Sequence, residues 1–238
     1  MSLPKRILGR TGLEVTQLGY GAMEIRGERI WNGRPCSSEE ADVILNAVVD
    51  AGINFIDTAN DYGKSELFIG RHLADRRDLF YLATKCGCSM TFAGDHDDTP
   101  HFYTRDNLFR NIADSLMKME VPCVDLLQLH NPSVQQCEEG KLVDALRELQ
   151  STGVVKFIGC STTLPDIKNY IDWRVFDVFQ VPYSALDRRH EDWITRVKQG
   201  CAYCHQLGNK ATREIQNLNQ YDSTVAAWDR RVQSSQRG

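Results

Sequence analysis

Three strand-like apolar runs of the sequence each end on an ionisable residue, and these residues are Asp57, Lys85 and His130. A tyrosine, Tyr62, follows the first of them by five residues, in a polar loop. A carboxylate that is buried without a cation is strongly destabilising, so we expect Asp57 to pair with Lys85. Because the carboxyl ends of parallel strands meet at one edge of a sheet, the pattern predicts an active site there. An acid, an amine, a phenol and an imidazole brought together in this way can hold, donate and orient protons.

The composition limits the classes of protein to which the chain can belong. Of its 238 residues, 42% are hydrophobic and 25% are charged, which is typical of a soluble globular protein. The net charge of -4 argues against nucleic acid as the main partner. No apolar run approaches the roughly 20 residues that span a bilayer, and the N-terminus lacks the apolar segment of a secretory signal. We therefore predict a cytoplasmic protein without a membrane partner, whose eight cysteines are mostly reduced thiols.

The chain begins with a predicted β-hairpin and a first buried strand. Residues 5–8 and 13–15 flank a turn-rich segment, a pattern that favours a hairpin. The run 17–23 is the predicted strand, and its small residues Gly21 and Ala22 leave room for a ligand to approach the backbone. A strand end relaxed by glycine is the alternative interpretation.

Strand-like runs alternate with helical patterns along the sequence. Six such runs cover residues 17–23, 53–57, 79–85, 124–130, 154–160 and 175–181. Strict alternation with continuous apolar strands predicts an α/β fold with a parallel sheet covered by helices. A doubly wound open sheet and a (β/α) barrel both fit this order. The first strand–helix turn lacks the dinucleotide-binding motif Gly-x-Gly-x-x-Gly, and this argues against the doubly wound sheet. Residues 86–103 are predicted to form a long polar loop.

Short motifs around these residues resemble those of one enzyme family. They are Phe55-Ile56-Asp57-Thr58-Ala59 with Tyr62, Ala83-Thr84-Lys85, Leu127-Gln128-Leu129-His130-Asn131-Pro132, Gly159-Cys160-Ser161, Gln180 and Tyr183-Ser184. In this order and on these elements they are similar to the aldo/keto reductases, over about residues 5–197. The resemblance implies a TIM-type (β/α) barrel of eight strands. It also implies a barrel floor plugged by the N-terminal hairpin, and NADPH-dependent reduction of aldehydes or ketones.

The resemblance implies roles for individual residues. Those at the positions of the catalytic tetrad of the family are Asp57, Tyr62, Lys85 and His130. Those implied in cofactor binding are Gly21, Ala22, Met23, Asp57, Ser161, Thr162, Gln180 and Tyr183. Tyr183 lies where the family stacks an aromatic ring on the nicotinamide, and Ser161 and Gln180 lie where it holds the carboxamide. Thr162 stands where the family commonly has asparagine. The expected cofactor is NADPH, with NADH not excluded, and the expected partner is a small carbonyl compound.

The implied chemistry explains the residue types of the tetrad. Hydride attack on a carbonyl builds negative charge on its oxygen, so a proton donor must meet it. Tyr62 is the natural donor, but an unperturbed tyrosine has a pKa of about 10. A Lys85 ammonium about 4 Å away would lower that pKa by roughly three units at most, and Asp57 would keep the ammonium charged. His130 would orient the carbonyl as a neutral hydrogen-bond donor. The alternative is a structural ion pair of Asp57 and Lys85 with a core histidine.

A second group of possible ligands lies in the polar loop after Lys85. It comprises Cys86, Cys88, Asp95, His96, Asp97, Asp98 and His101. Their spacing matches no regular metal-binding pattern. We therefore interpret the segment as a solvated loop on the substrate side and predict no metal site.

The C-terminal part departs from the family pattern. We divide the chain into a barrel-like region, residues 1–199, and a helical tail, residues 200–238, in which no run resembles a seventh or eighth strand. The helix is predicted from apolar residues at helical spacing, Cys204, Leu207, Ala211, Ile215 and Leu218. The tail also contains a CxxCH motif, Cys201, Cys204 and His205, which resembles a c-type haem attachment site or occurs there by chance.

A barrel with six of its eight strand–helix units exposes strand edges and apolar lining. Three explanations fit an incomplete barrel. The tail helices could cover the gap, a second copy of the chain could complete the sheet, or the chain is truncated or chimeric and has weak stability. The favoured function is a monomeric or homodimeric carbonyl reductase. The alternatives are a weakly active or inactive relative that serves as a binding or interaction subunit and, less favoured, a c-type haem redox protein.

Overall fold

The computed structural model describes residues 2–198 and 202–206. Its strands are β1 (Lys5–Ile7), β2 (Glu14–Thr16), β3 (Tyr20–Gly21), β4 (Phe55–Asp57), β5 (Tyr81–Cys86), β6 (Thr91–Ala93), β7 (His96–Asp98), β8 (Val124–His130), β9 (Val155–Ser161), β10 (Val178–Pro182) and β11 (Ala202–Gln206). Seven of them form one sheet in the order β11-β10-β9-β8-β5-β4-β3, and every neighbouring pair is parallel. The predicted parallel α/β sheet is confirmed.

Helices separate most of the parallel strands. They are α1 (Ser38–Asp50), α2 (Ser65–Leu73), α3 (Arg105–Met119), α4 (Val134–Glu139), α5 (Leu142–Ser151), α6 (Ile167–Trp173) and α7 (Glu191–Lys198). Ser37 caps α1 as the sequence predicts, because its hydroxyl oxygen accepts a hydrogen bond from the Glu40 amide at 3.1 Å. Gly52 follows the helix with a φ of +80°, a backbone conformation that favours glycine. In the described part of the chain, no helix is long and apolar enough to cross a membrane.

Both faces of the parallel sheet are buried. One face packs against the helices, and its core residues include Ile56, Leu82, Leu127 and Phe179. The opposite face packs against the N-terminal hairpin of β1 and β2, in a cluster of Leu8, Val15, Phe55, Ala83, Leu126 and Val178. Adjacent residues of a strand thus enter different cores, as the pleat requires. Burial on both faces explains why these strands are continuous apolar runs in the sequence.

Two local predictions were wrong. The first strand is limited to Tyr20 and Gly21, because Ala22–Ile25 folds as a 3-10 helix whose Ala22 and Ile25 enter the core. The supposed loop 86–103 contains the β6–β7 hairpin, which Arg29 holds through the Asp97 carboxylate at 2.7 Å. Both departures depend on tertiary contacts, which a local sequence pattern does not report. The connection after β8 contains a further short helix, α4, which begins with a capping box.

The prediction of a helix beginning at Cys204 was also wrong. β11 pairs with β10 in parallel, with Gln180 opposite Cys204, so the sheet continues past residue 200. A strand of five residues at the edge of a sheet is stabilised by ladder hydrogen bonds to its neighbour, and it needs no continuous apolar run of its own. The rest of the predicted tail, residues 207–238, lies outside the described residues, as do Cys201 and the side chains of Cys204 and His205 that the haem hypothesis requires.

Candidate active site

Asp57 and Lys85 form a buried ion pair at the carboxyl ends of β4 and β5. Lys85 Nζ lies 2.6 Å from Asp57 Oδ2 and donates a second hydrogen bond to the Thr58 carbonyl at 2.8 Å. Lys85 is only 1% exposed, and Asp57 is 5% exposed. The sequence predicts this pairing from the requirement that a buried carboxylate meets a cation.

Two glutamines complete the surroundings of Asp57. Gln128 Nε2 donates to Asp57 Oδ1 at 3.0 Å, and Gln180 Nε2 donates to Asp57 Oδ2 at 3.0 Å. Both glutamines are buried. Sequence reasoning did not assign a role to Gln128, although a polar residue in the middle of the apolar β8 run is a detectable signal. Asp57 therefore accepts hydrogen bonds from side chains on β5, β8 and β10 and stays available as the counter-ion of Lys85.

Tyr62 lies over the same ion pair. Its ring centroid is 5.0 Å from Lys85 Nζ, and its side chain is buried. Two rings contact it edge-on, Trp31 with centroids 6.0 Å apart and His130 with centroids 5.9 Å apart. Trp31 was not predicted as a site residue. The phenol, the ammonium and the imidazole thus share one site.

The pKa of Tyr62 differs from the prediction, whereas the charged state of Lys85 agrees with it. Burial pushes the pKa of Lys85 down, but the Asp57 carboxylate and Tyr62 more than offset this, so the pKa lies above its ordinary value and the amine stays charged. Burial also raises the pKa of Tyr62, and the opposing effect of Lys85 is smaller. The predicted net fall in the pKa of Tyr62 was therefore wrong, because desolvation outweighs the ammonium. A phenol with a raised pKa is retained in its protonated, donating form.

His130 ends β8 and contacts a second buried carboxylate, which the sequence analysis missed. Its Nδ1 lies 3.3 Å from Asp61 Oδ1 and 3.4 Å from Cys88 Sγ. The Tyr103 hydroxyl donates to the His130 carbonyl at 2.7 Å, which fixes the backbone at the end of the strand. Asp61 adjoins Tyr62 in a polar loop, and so it reads as a solvated residue in the sequence.

The predicted cofactor-binding residues lie on strand ends beside the tetrad. Gly21 ends β3 opposite Asp57 in the register, and Ala22 and Met23 follow it in the 3-10 helix. Ser161 ends β9 opposite both His130 and Gln180. Thr162 follows β9, and its amide donates to the Gln180 carbonyl at 2.9 Å. Tyr183 follows β10 and packs against the cluster of Ile167, Val181 and Ile194.

The possible ligands of residues 86–103 separate into two groups. Asp97 pairs with Arg29, and His96 lies 2.8 Å from Asp95 and 3.5 Å from Asp98, all in the β6–β7 hairpin. Cys88 instead lies next to His130, and His101 forms an isolated bridge with Cys88. The structure therefore does not bring the seven residues together.

Comparison with known proteins agrees with this geometry. The sequence model of the Aldo/keto reductase family matches residues 17–208. The uncharacterized oxidoreductase YqkF of Bacillus subtilis (strain 168) is 28% identical over 200 residues, which are 82% of this chain and 61% of that protein. The NADH-specific methylglyoxal reductase of Escherichia coli (strain K12) is 28% identical over 201 residues, 78% of this chain and 60% of that protein.

The fold is similar to that of solved structures as well. The holo form of aldo-keto reductase AKR11C1 from Bacillus halodurans superposes with a TM-score of 0.76 and 28% identity, over 85% of this chain and 65% of that chain. The predicted incomplete (β/α) barrel is confirmed. The chain spans about three fifths of the length of the two curated relatives, 61% and 60%.

Proposed function

The chain belongs to the aldo/keto reductase family, and from this premise we propose that it reduces a small aldehyde or ketone by hydride transfer from a nicotinamide cofactor. The observation that carries the proposal is the buried Lys85 ammonium, which pairs with Asp57 and lies 5.0 Å from the Tyr62 ring. A structural ion pair alone gives no reason for a buried phenol and a histidine at the same strand edge. Location in the cytoplasm and a monomeric or homodimeric state stay predictions.

Each tetrad residue has a distinct part in the proposed reaction. The nicotinamide, when bound, supplies the hydride to the carbonyl carbon. Tyr62 gives its phenolic proton to the carbonyl oxygen, and the Lys85 ammonium stabilises the phenolate that remains. Asp57 keeps Lys85 protonated in a site that excludes water. His130 orients the carbonyl through a ring N–H.

The residues of the strand ends suit a nicotinamide cofactor. Gly21 is exposed opposite Asp57, and a Cβ at this position would meet no atom within 4 Å, so the backbone is open to a ligand. Gln128 Oε1 is buried without a hydrogen-bond partner among the described residues, next to the two amides that hold Asp57. Ser161, Thr162 and Gln180 would hold the carboxamide, and Tyr183 would stack on the ring. We keep NADPH as the expected cofactor, and NADH must be tested beside it because one relative is named for NADH specificity.

The alternative is a relative that binds a nucleotide but has little or no activity. The observation in its favour is that both polar atoms of the Gln180 amide are already engaged: Nε2 donates to Asp57 at 3.0 Å, and Oε1 accepts from Gln128 Nε2 at 3.4 Å. This alternative predicts cofactor binding without turnover.

The decisive experiment compares the wild-type chain with Tyr62→Phe. Oxidation of NADPH and of NADH is followed with methylglyoxal and with other small aldehydes. Loss of the proton donor should lower kcat by about 100-fold or more, while cofactor affinity in a fluorescence titration stays unchanged. Tyr81→Phe, at the amino end of β5, is the matched control and should turn over normally. Equal rates for wild type and Tyr62→Phe would sink the proposal, and cofactor binding without any wild-type turnover would favour the inactive relative.

A further inference from the structure

Three potential metal ligands meet beside the tetrad. Asp61, Cys88 and His130 each present one ligand atom, and these atoms all lie within 4.8 Å of one another. Asp61 and Cys88 are fully buried, and the side chain of His130 is 14% exposed. Asp61 and Cys88 are therefore closed off from solvent, and His130 is the accessible residue of the cluster.

The carboxylate of Asp61 is the unusual member of the cluster. It is 1% exposed, its Oδ1 lies 3.3 Å from His130 Nδ1, and no well-aligned hydrogen bond reaches either oxygen from the described residues. Asp57, one turn of the loop away, receives three donors instead. A buried carboxylate that lacks well-aligned donors is stabilised when a cation lies against it.

The distances match a tetrahedral zinc site. Zinc binds nitrogen and oxygen ligands at about 2.0–2.1 Å and sulfur at about 2.3 Å. Tetrahedral angles then separate a nitrogen from an oxygen ligand by about 3.3 Å and a nitrogen from a sulfur ligand by about 3.5 Å. His130 Nδ1 lies 3.3 Å from Asp61 Oδ1 and 3.4 Å from Cys88 Sγ. The side chains are thus placed for a metal with little rearrangement.

We propose that Asp61, Cys88 and His130 bind a divalent transition-metal ion, with Zn²⁺ the best match to the mixed oxygen, sulfur and nitrogen ligands. Three protein ligands leave one tetrahedral position for water or a further ligand, and the ring centroid of His101 lies 6.2 Å from that of His130. On binding, the Cys88 S–H bond breaks, sulfur coordinates the metal as thiolate, and the proton leaves to solvent.

Metal binding also has a consequence for His130. Coordination through Nδ1 requires that the neutral ring carries its proton on Nε2. Under the proposed function, the bound ion would also fix the imidazole as a hydrogen-bond donor toward the substrate carbonyl. The metal site itself is independent of turnover, so Tyr62→Phe should bind the ion as the wild type does.

Cobalt substitution tests the site in the full chain. Co²⁺ added to chelator-treated protein should produce a near-ultraviolet thiolate-to-cobalt absorption with one ion bound per chain. A background of Cys201→Ser with Cys204→Ser removes the tail thiols and should keep the band. Cys88→Ser should abolish it in that background, and Cys123→Ser, a half-buried cysteine outside the cluster, should retain it.

A second variant keeps the test independent of the cysteine. Asp61→Asn preserves the shape of the side chain and should weaken Co²⁺ affinity by about 10- to 100-fold, as measured by competition with a chelating dye. Unchanged affinity in Asp61→Asn would overturn the proposal. The same conclusion follows from a wild type without the absorption, from a band that persists in Cys88→Ser, or from a band that disappears with the tail thiols.

Discussion

The two ends of the parallel sheet both bury a carboxylate, but they neutralise it by different means. At the amino end, Asp125 of β8 accepts a hydrogen bond from the Leu82 amide at 2.8 Å and pairs with Arg77 at 2.5 Å and Lys156 at 2.8 Å. Both cations reach in from the surface, and the side chain of Lys156 is 52% exposed. At the carboxyl end, Asp57 pairs with a lysine that is itself buried.

Under the proposed function, the difference separates a charge that stabilises the fold from one that acts in catalysis. Long side chains that reach a carboxylate from solvent retain much of their hydration, so the amino-end cluster joins β5, β8 and β9 at small cost. An ammonium sealed inside the protein gives up its hydration, and no gain in stability accounts for that arrangement. Charge in a dry site acts strongly on a neighbouring phenol, which is what proton transfer requires.

Of the changes that test this difference between the two ends of the sheet, Lys85→Met should have the largest effect on stability. This change leaves the Asp57 carboxylate buried without its cation, and should lower the free energy of unfolding by about 3–5 kcal/mol. Lys156→Met is the matched control, because Asp125 keeps Arg77 and the Leu82 amide and the Lys156 side chain is 52% exposed, so the loss should be only about 1–2 kcal/mol. Urea unfolding of both variants measures the difference. Equal losses would mean that the two ends are energetically alike.

A smaller effect is expected from Asp125→Asn. The change weakens charge-assisted hydrogen bonds to Arg77 and Lys156 and should cost about 1.5–3 kcal/mol of unfolding free energy. The proposed reductase activity should keep its kcat, because Asp125 lies at the opposite end of β8 from His130. Unfolding and turnover are measured on the same preparation. A reduced kcat at unchanged stability would contradict the division between the ends.

The smallest expected effect is on thermal stability at acidic pH. Burial raises the pKa of Asp125, but hydrogen bonds from Lys156, the Leu82 amide and Arg77 lower it by more, so the folded-state pKa lies below its ordinary value. The stabilisation is then complete above the unfolded pKa of about 3.9 and is lost as pH falls through the folded value. The Tm of the wild type should therefore fall more steeply below about pH 4 than that of Asp125→Asn. Calorimetry at a series of pH values checks the slopes, and parallel curves would exclude this role for Asp125.

The sequence predicts the tetrad positions because each of those residues ends or closely follows an apolar run. The order of strands in a parallel sheet then brings Asp57, Lys85 and His130 together without knowledge of any distance. The same reasoning cannot find Asp61, because a charged residue in a polar loop is typical of solvated surface. Its burial depends on Cys88 and His130, which arrive from elements far away in the chain.

The missed strands have a related cause. β11 contains tyrosine, cysteine, histidine and glutamine, and its extended conformation depends on pairing with β10. The β6–β7 hairpin is polar as well and is held by Arg29 from outside the segment. The periodicity of apolar residues shows which side chains a segment buries. It therefore does not predict strands whose structure depends on backbone pairing or on one distant cation.

The hydrogen bond between Gln180 and Asp57 shows how strongly the sheet is curved. Four steps in the strand order separate β10 from β4, and a flat sheet would hold them about 19 Å apart, at about 4.8 Å for each step. Gln180 Nε2 nevertheless lies 3.0 Å from Asp57 Oδ2, so the sheet must bend until its distant strands face each other. Any mutation that flattens this arc will therefore draw one of the three hydrogen-bond donors away from Asp57, the counter-ion of Lys85.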